Sequence, residues 1–246
     1  MRSQGACRAV ARCSSVPHLL LPVEKTPASV VPTPARLAEA SRTRPVPLSI
    51  LISGRGSNLA AIVGAIRSGQ LAATIAIVIS NRADAAGLAI ARENGIDTRV
   101  MPHGDYPSRD AYDRALVDEL RLRQVKLICL AGFMRRLGPA FCAAFPNAIL
   151  NVHPALLPSF PGAHAQRQAF DHGVKVTGVT VHFVTPELDA GPIVMQAAVP
   201  VLETDTAESL ADRTLKIEHE IYPQAIQRVL DGGWTIEGRR VIFRQS

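Results

Sequence analysis

Leu48-Ser49-Ile50-Leu51-Ile52-Ser53-Gly54-Arg55-Gly56-Ser57-Asn58 joins an apolar run of strand length to a glycine turn, and Asn58–Ile66 continues with helical spacing up to Gly69. A short buried strand that feeds a helix through a tight turn is the unit of a parallel α/β sheet. The same alternation recurs outward. Thr74–Ser80 is rich in Ile and Val, and Ala85–Glu93 reads as a helix closed by Gly95. Arg109–Leu122 reads as a helix that Ser108 can cap. Lys126–Ala131, Ala148–Val152, Thr180–Val184 and Ile193–Val199 read as strands. Thr206–Leu230 reads as a long helix that Pro223 should kink. Trp234–Phe243 has a hairpin pattern around Glu237-Gly238. The expected fold class is α/β, with a doubly wound, mostly parallel sheet.

Residues 48–246 are expected to form a single domain, and residues 1–47 to stand apart from it. That leading stretch is rich in Pro, Ala, Ser and Arg and has no sustained apolar period. It reads as a dispensable extension or mis-assigned start, which we favour, or as an organelle transit segment. A secretory signal fits least, because Leu19-Leu20-Leu21 is short and flanked by Pro17 and Pro22. The net charge of +6 is concentrated there: seven Lys or Arg against Glu24 and Glu39 give +5, leaving +1 for the other 199 residues. A near-neutral domain argues against a nucleic-acid partner. No run reaches the roughly 18 apolar residues of a membrane helix. The four cysteines match neither a disulfide scaffold nor a zinc motif, so a reducing compartment, the cytosol first, is expected, with no metal.

The glycine turn suits a phosphate, because a helix N-terminus offers free N–H groups and partial positive charge. It does not suit a dinucleotide. Leu59 stands at the third glycine position, and Ser80-Asn81-Arg82 stands where a ribose-binding acid would follow the second strand. No Gly-Lys-Ser/Thr follows, so it is not a Walker loop. Two glycines alone are most often a plain turn; Ser57 and Asn58 add donors that favour a monophosphate.

Asn151 and His153 end an apolar strand and share one face of it. Pro154, Pro158 and Pro161 stiffen the loop that follows. Asp189 lies in a Gly/Pro-bounded loop before a strand. Each residue alone is commonly structural, a capping histidine or an Asx turn. Together an amide, an imidazole and a carboxylate can stabilise an oxyanion and relay a proton. No activated Ser or Cys accompanies them, so direct attack of an amine on an acyl carbon is the expected chemistry.

Five motifs occur in order: Gly56-Ser57-Asn58, Ala131-Gly132-Phe133-Met134-Arg135, Asn151-Val152-His153-Pro154-Ala155-Leu156-Leu157-Pro158, Val181-His182-Phe183-Val184 and Leu188-Asp189-Ala190-Gly191-Pro192-Ile193. As a set they resemble the phosphoribosylglycinamide formyltransferase family over residues 48 to about 230. The resemblance implies transfer of a formyl group from 10-formyltetrahydrofolate to glycinamide ribonucleotide, with Asn151, His153 and Asp189 catalytic. It implies that Gly56, Ser57, Asn58 and Glu218 hold the ribonucleotide. It places the folate along Met134, Arg135, Arg136, Leu137 and Asn151, with Arg109 near its acidic tail. Met134 and Leu137 would otherwise be core, and Arg109 a solvated helix face. His164 is in place, but Ala165 and Gln166 follow where a threonine and histidine are usual. A monomer or homodimer is expected.

Formyltetrahydrofolate hydrolases are similar and share the trio, but the resemblance there implies a further N-terminal domain that residues 1–47 do not pattern as. Methionyl-tRNA formyltransferases imply an additional C-terminal domain and a basic surface. A non-catalytic folate- or nucleotide-binding module is the alternative from another class; it would tolerate loss of His153.

Overall fold

The computed structural model describes residues 45–244. The expectations for the extension therefore fall almost wholly outside the described residues. Its expected boundary is corrected, because the first strand, β1, is Val46–Ile52 and takes in Val46 and Pro47. Val46 is fully buried, and its N–H reaches the Ala72 carbonyl.

The order continues with α1 (Ser57–Arg67), β2 (Ala73–Ser80), α2 (Gly87–Glu93), β3 (Thr98–Val100), α3 (Arg109–Leu122), β4 (Leu127–Leu130) and α4 (Pro139–Ala144). Then come β5 (Ile149–His153), α5 (Ala165–Asp171), β6 (Val176–Phe183), β7 (Ile193–Pro200), α6 (Ala207–Leu230), β8 (Trp234–Glu237) and β9 (Arg240–Phe243). The strands form one sheet in the order β3-β2-β1-β4-β5-β6-β7-β9-β8. β1 to β5 run parallel, whereas β6 and β7 are each antiparallel to the strand before them. β9 returns parallel to β7, so five of the eight neighbouring pairs are parallel and the mostly parallel reading holds for a mixed sheet. The strand order reverses at β1, between β2 and β4, and such a switch opens a crevice at the carboxyl ends of the strands.

Apolar side chains cover both faces. One cluster joins Leu48, Ile50, Leu59, Leu127 and Leu150 to Tyr222 and Ile226 of α6. The other joins Leu51, Ile77, Ile128 and Ile149 to Tyr112, Leu116 and Phe141 of α3 and α4. Successive strand residues therefore point into opposite cores, as a sheet buried on both sides requires. Ser108 caps α3 by accepting the Ala111 N–H at 3.1 Å. Thr206 and Ser209 form a reciprocal capping box at the start of α6. The helix continues through Pro223. Tyr222, just before it, sets its hydroxyl 3.1 Å from the Leu130 carbonyl and 3.0 Å from the Leu150 carbonyl. That contact ties α6 to the ends of β4 and β5, next to Asn151.

Candidate active site

β5 lasts through His153, so Asn151 and His153 leave the sheet on one face at its carboxyl edge. Asn151 pairs directly with His182 across the antiparallel β5–β6 ladder. Its Nδ2 lies 3.2 Å from His182 Nε2. His182 Nδ1 lies 3.0 Å from the Phe183 carbonyl, which can only accept, so Nδ1 carries the proton and Nε2 accepts from the amide. Burial lowers the pKa of His182, against opposing pulls from the Phe183 carbonyl and Asp189, which keeps the ring neutral. A neutral His182 thereby fixes which way the Asn151 amide faces.

Asp189 stands between the two histidines. Its Oδ2 is 3.5 Å from His153 Nδ1, and its Oδ1 is 3.7 Å from His182 Nε2. The second separation is no hydrogen bond, since that nitrogen has no proton to give. Oδ2 also accepts the Gly162 N–H at 2.8 Å, which docks the proline loop onto the carboxylate. Asp189 holds φ at +48°, a left-handed conformation uncommon for a non-glycine residue. His153 donates from Nε2 to the Phe160 carbonyl at 2.8 Å. The structure thus brings together all three residues of the expected trio, and adds His182. Sequence reasoning passed over His182 because a histidine inside Val181-His182-Phe183 reads as core; its register opposite Asn151 is the missing signal.

The glycine turn meets α6. Asn58 Nδ2 donates to Glu218 Oε2 at 2.7 Å, and both side chains are buried. Burial pushes Glu218 up to about 7, although Asn58 and Arg55 pull it down. The folded-state value lies above the ordinary 4.5. Stability linked to Glu218 is therefore full below about pH 4.5 and is lost as pH rises through 7. The difference corresponds to about 3 kcal/mol at most. Glu218→Gln keeps the acceptor for Asn58 without the charge. The variant is expected to melt higher than the parent at pH 8 and equally at pH 4.5. Parallel melting curves at both pH values would show that Glu218 is not held in a charge-averse site. A groove of about 760 Å³ runs between α1 and α6 from Ser57 past His219 to Pro223.

Gly56 needs its glycine for packing as well as for the turn. It caps α1 with φ at +79°, and a Cβ there would lie 2.5 Å from the Gly87 Cα. The missing side chain makes room for the start of α2.

The segment after β4 crosses the same edge. Met134 is 75% exposed, and Leu137 is buried in the core, so it can offer a ligand mainly backbone. Arg135 sits over the Tyr112 ring at 5.1 Å. Arg136 donates from Nη2 to the Pro186 carbonyl at 2.6 Å and so ties this segment to the loop that carries Asp189. Asp113 accepts the Gly138 N–H at 2.7 Å. Burial pushes the Asp113 carboxyl up, opposed by that N–H, Arg109 and Arg135. Arg109 is exposed at the first turn of α3. His164 precedes α5 with φ at +58°, and its side chain makes no capping bond. Among the described residues no group of three or more His, Cys, Asp or Glu side chains is placed to hold a metal ion. No described helix is long and apolar enough to cross a membrane.

Residues 47–226 match the formyl transferase family model. The phosphoribosylglycinamide formyltransferase of Escherichia coli is 45% identical over 183 residues, which are 74% of this chain and 86% of that protein. The chain belongs to the phosphoribosylglycinamide formyltransferase family. A crystal structure of glycinamide ribonucleotide transformylase 1 from Symbiobacterium toebii superposes with a TM-score of 0.80 at 53% identity, covering 82% of this chain and 95% of that one. The human trifunctional purine biosynthetic protein adenosine-3 is 46% identical over 185 residues, 75% of this chain, but the chain spans 18% of its length. As a phosphoribosylglycinamide formyltransferase, the chain is a folate-using enzyme of purine biosynthesis.

Proposed function

We propose that Asn151, His153 and Asp189 carry transfer of the formyl group of 10-formyltetrahydrofolate to the amine of glycinamide ribonucleotide. The carrying observation is the convergence of an amide, an imidazole and a carboxylate on the strand-end crevice, with Asp189 3.5 Å from His153. The amine nitrogen bonds to the formyl carbon, and the carbonyl electrons move onto its oxygen. Asn151 donates to that oxyanion, oriented by His182. His153, freed from the Phe160 carbonyl and protonated, gives the second donor. Asp189 balances the imidazolium and relays the proton from the attacking amine to the folate nitrogen as its bond to the formyl carbon breaks.

Ser57, Asn58 and the α1 N-terminus hold the phosphate, and Glu218 meets the ribose or glycinamide. Arg109, Met134, Arg135 and the backbone near Leu137 flank the folate, while Arg136 acts by bracing the segment. The purified protein should consume 10-formyltetrahydrofolate only when glycinamide ribonucleotide is present. Steady consumption with water as the acceptor would overturn the assignment of the amine.

The enzyme domain begins with β1, and residues 1–42 take no part in the chemistry. A chain that starts at Thr43 is expected to keep kcat and both KM values, measured beside the full chain. A loss on truncation would show that the leading residues support the domain.

A further inference from the structure

Asn81 occupies the position at the end of β2 where a dinucleotide fold would put a ribose-binding acid, and its side chain faces inward instead. Ser53 donates its hydroxyl proton to Asn81 Oδ1 at 2.6 Å. The same hydroxyl oxygen accepts the Met134 N–H at 2.8 Å. Both side chains are buried, Ser53 6% exposed and Asn81 7%. We propose that Ser53 and Asn81 are positioning residues that set the Gly132–Leu137 segment for folate, a proposal that rests on assigning this segment to the folate.

The ladder explains why a hydroxyl is needed there. Ala131 N–H reaches the Leu51 carbonyl at 2.9 Å, and Ser53 N–H reaches the Gly132 carbonyl at 3.1 Å. The next donor, Met134 N–H, meets a side-chain oxygen rather than a main-chain carbonyl. The segment can thus leave the sheet plane and still keep its backbone paired. Gly132 turns the chain with φ at +73°, after which Phe133 is buried in the core and Met134 is exposed. A hydroxyl that donates in one fixed direction has its lone pairs fixed too, and donation strengthens its acceptance. Asn81 supplies that direction. Without it the hydroxyl rotates, and Met134 N–H loses an aimed partner. Downstream, Arg136 reaches the Pro186 carbonyl, so an error at Met134 also reaches the loop of Asp189.

Asn81→Ala is expected to raise the folate KM and lower kcat, together by about ten- to a hundredfold in kcat/KM for the folate. The KM for glycinamide ribonucleotide should stay within about twofold. Asn81→Asp retains an acceptor oxygen for Ser53 and should recover most of the loss, and Ser53→Ala should reproduce Asn81→Ala. Met134→Ala, exposed and free of fold risk, tests the underlying assignment by its own effect on the folate KM. If Met134→Ala raises the folate KM and Asn81→Ala does not, the positioning role is overturned and the folate assignment stands. If Met134→Ala leaves the folate KM unmoved, the folate assignment itself falls. Equal rises in both KM values with a lowered melting temperature, unrelieved in Asn81→Asp, would make the pair purely structural and overturn the proposal.

Discussion

Asn151→Ala should lower kcat by about 10²–10³ while the dissociation constants of both substrates change little. One donor aimed at a developing oxyanion is worth that factor, because it strengthens only as charge appears on the oxygen. The geometry supports an effect on the transition state rather than on folding. Asn151 is partly exposed at the strand edge and gives a single 3.2 Å hydrogen bond to His182. Losing one such bond costs about 1 kcal/mol of stability, well short of unfolding the domain. Melting curves should therefore nearly coincide while turnover collapses. His182→Ala, which removes the group that orients the amide, should share part of the loss in kcat. A drop of only a few-fold in Asn151→Ala, with ligand affinities intact, would remove the amide from the reaction.

The alternation of strand and helix is legible because both faces of the sheet are buried. Runs such as Leu127–Leu130 are then uniformly apolar, while the helices between them keep a polar side. What is obscured in each case has a physical cause. β6 starts at Val176, four residues ahead of the expected Thr180, because Gly178 reads as a break. In the sheet that glycine is required: a Cβ there would come 2.1 Å from the Ala197 carbonyl. β3 has three residues, too few to show a period, and α5 buries only Ala165 and Ala169 beneath a polar Gln-Arg-Gln surface. In the site, strand alternation puts Asn151 and His153 on one face, but each reads as structural until it is set beside Asp189. Asp189 becomes persuasive only in the set of motifs, because a lone Asp beside glycine fits an Asx turn equally well. His182 and the Ser53–Asn81 pair depend on register between strands far apart in sequence, which no local pattern encodes.

Gly56 shows the same limit most sharply, and its substitution has the other large expected effect. Gly56→Ala should destabilise the protein by about 3 kcal/mol or more. Forcing a side chain into φ near +79° costs about 1–2 kcal/mol. Overpacking against a neighbour costs about 1–3 kcal/mol more, and here the neighbour is the Gly87 Cα at 2.5 Å, a backbone atom that cannot rotate away. For a domain of this size the melting temperature should fall by roughly 10 °C. The surviving folded fraction should bind glycinamide ribonucleotide and folate with KM values close to the parent's, because the added methyl faces α2. Gly87→Ala tests the cause from the other side. Its Cβ would lie 3.0 Å from the Gly56 Cα and 2.7 Å from Ile52 Cδ1, so it should melt early too, although no ligand role attaches to it. Ser57→Ala isolates the phosphate instead. It removes a hydroxyl donor at the α1 N-terminus without touching the Gly56–Gly87 contact, and should raise the ribonucleotide KM roughly tenfold with unchanged melting. If Gly56→Ala melts like the parent and raises only the ribonucleotide KM, the glycine serves ligand approach after all, and the packing account fails.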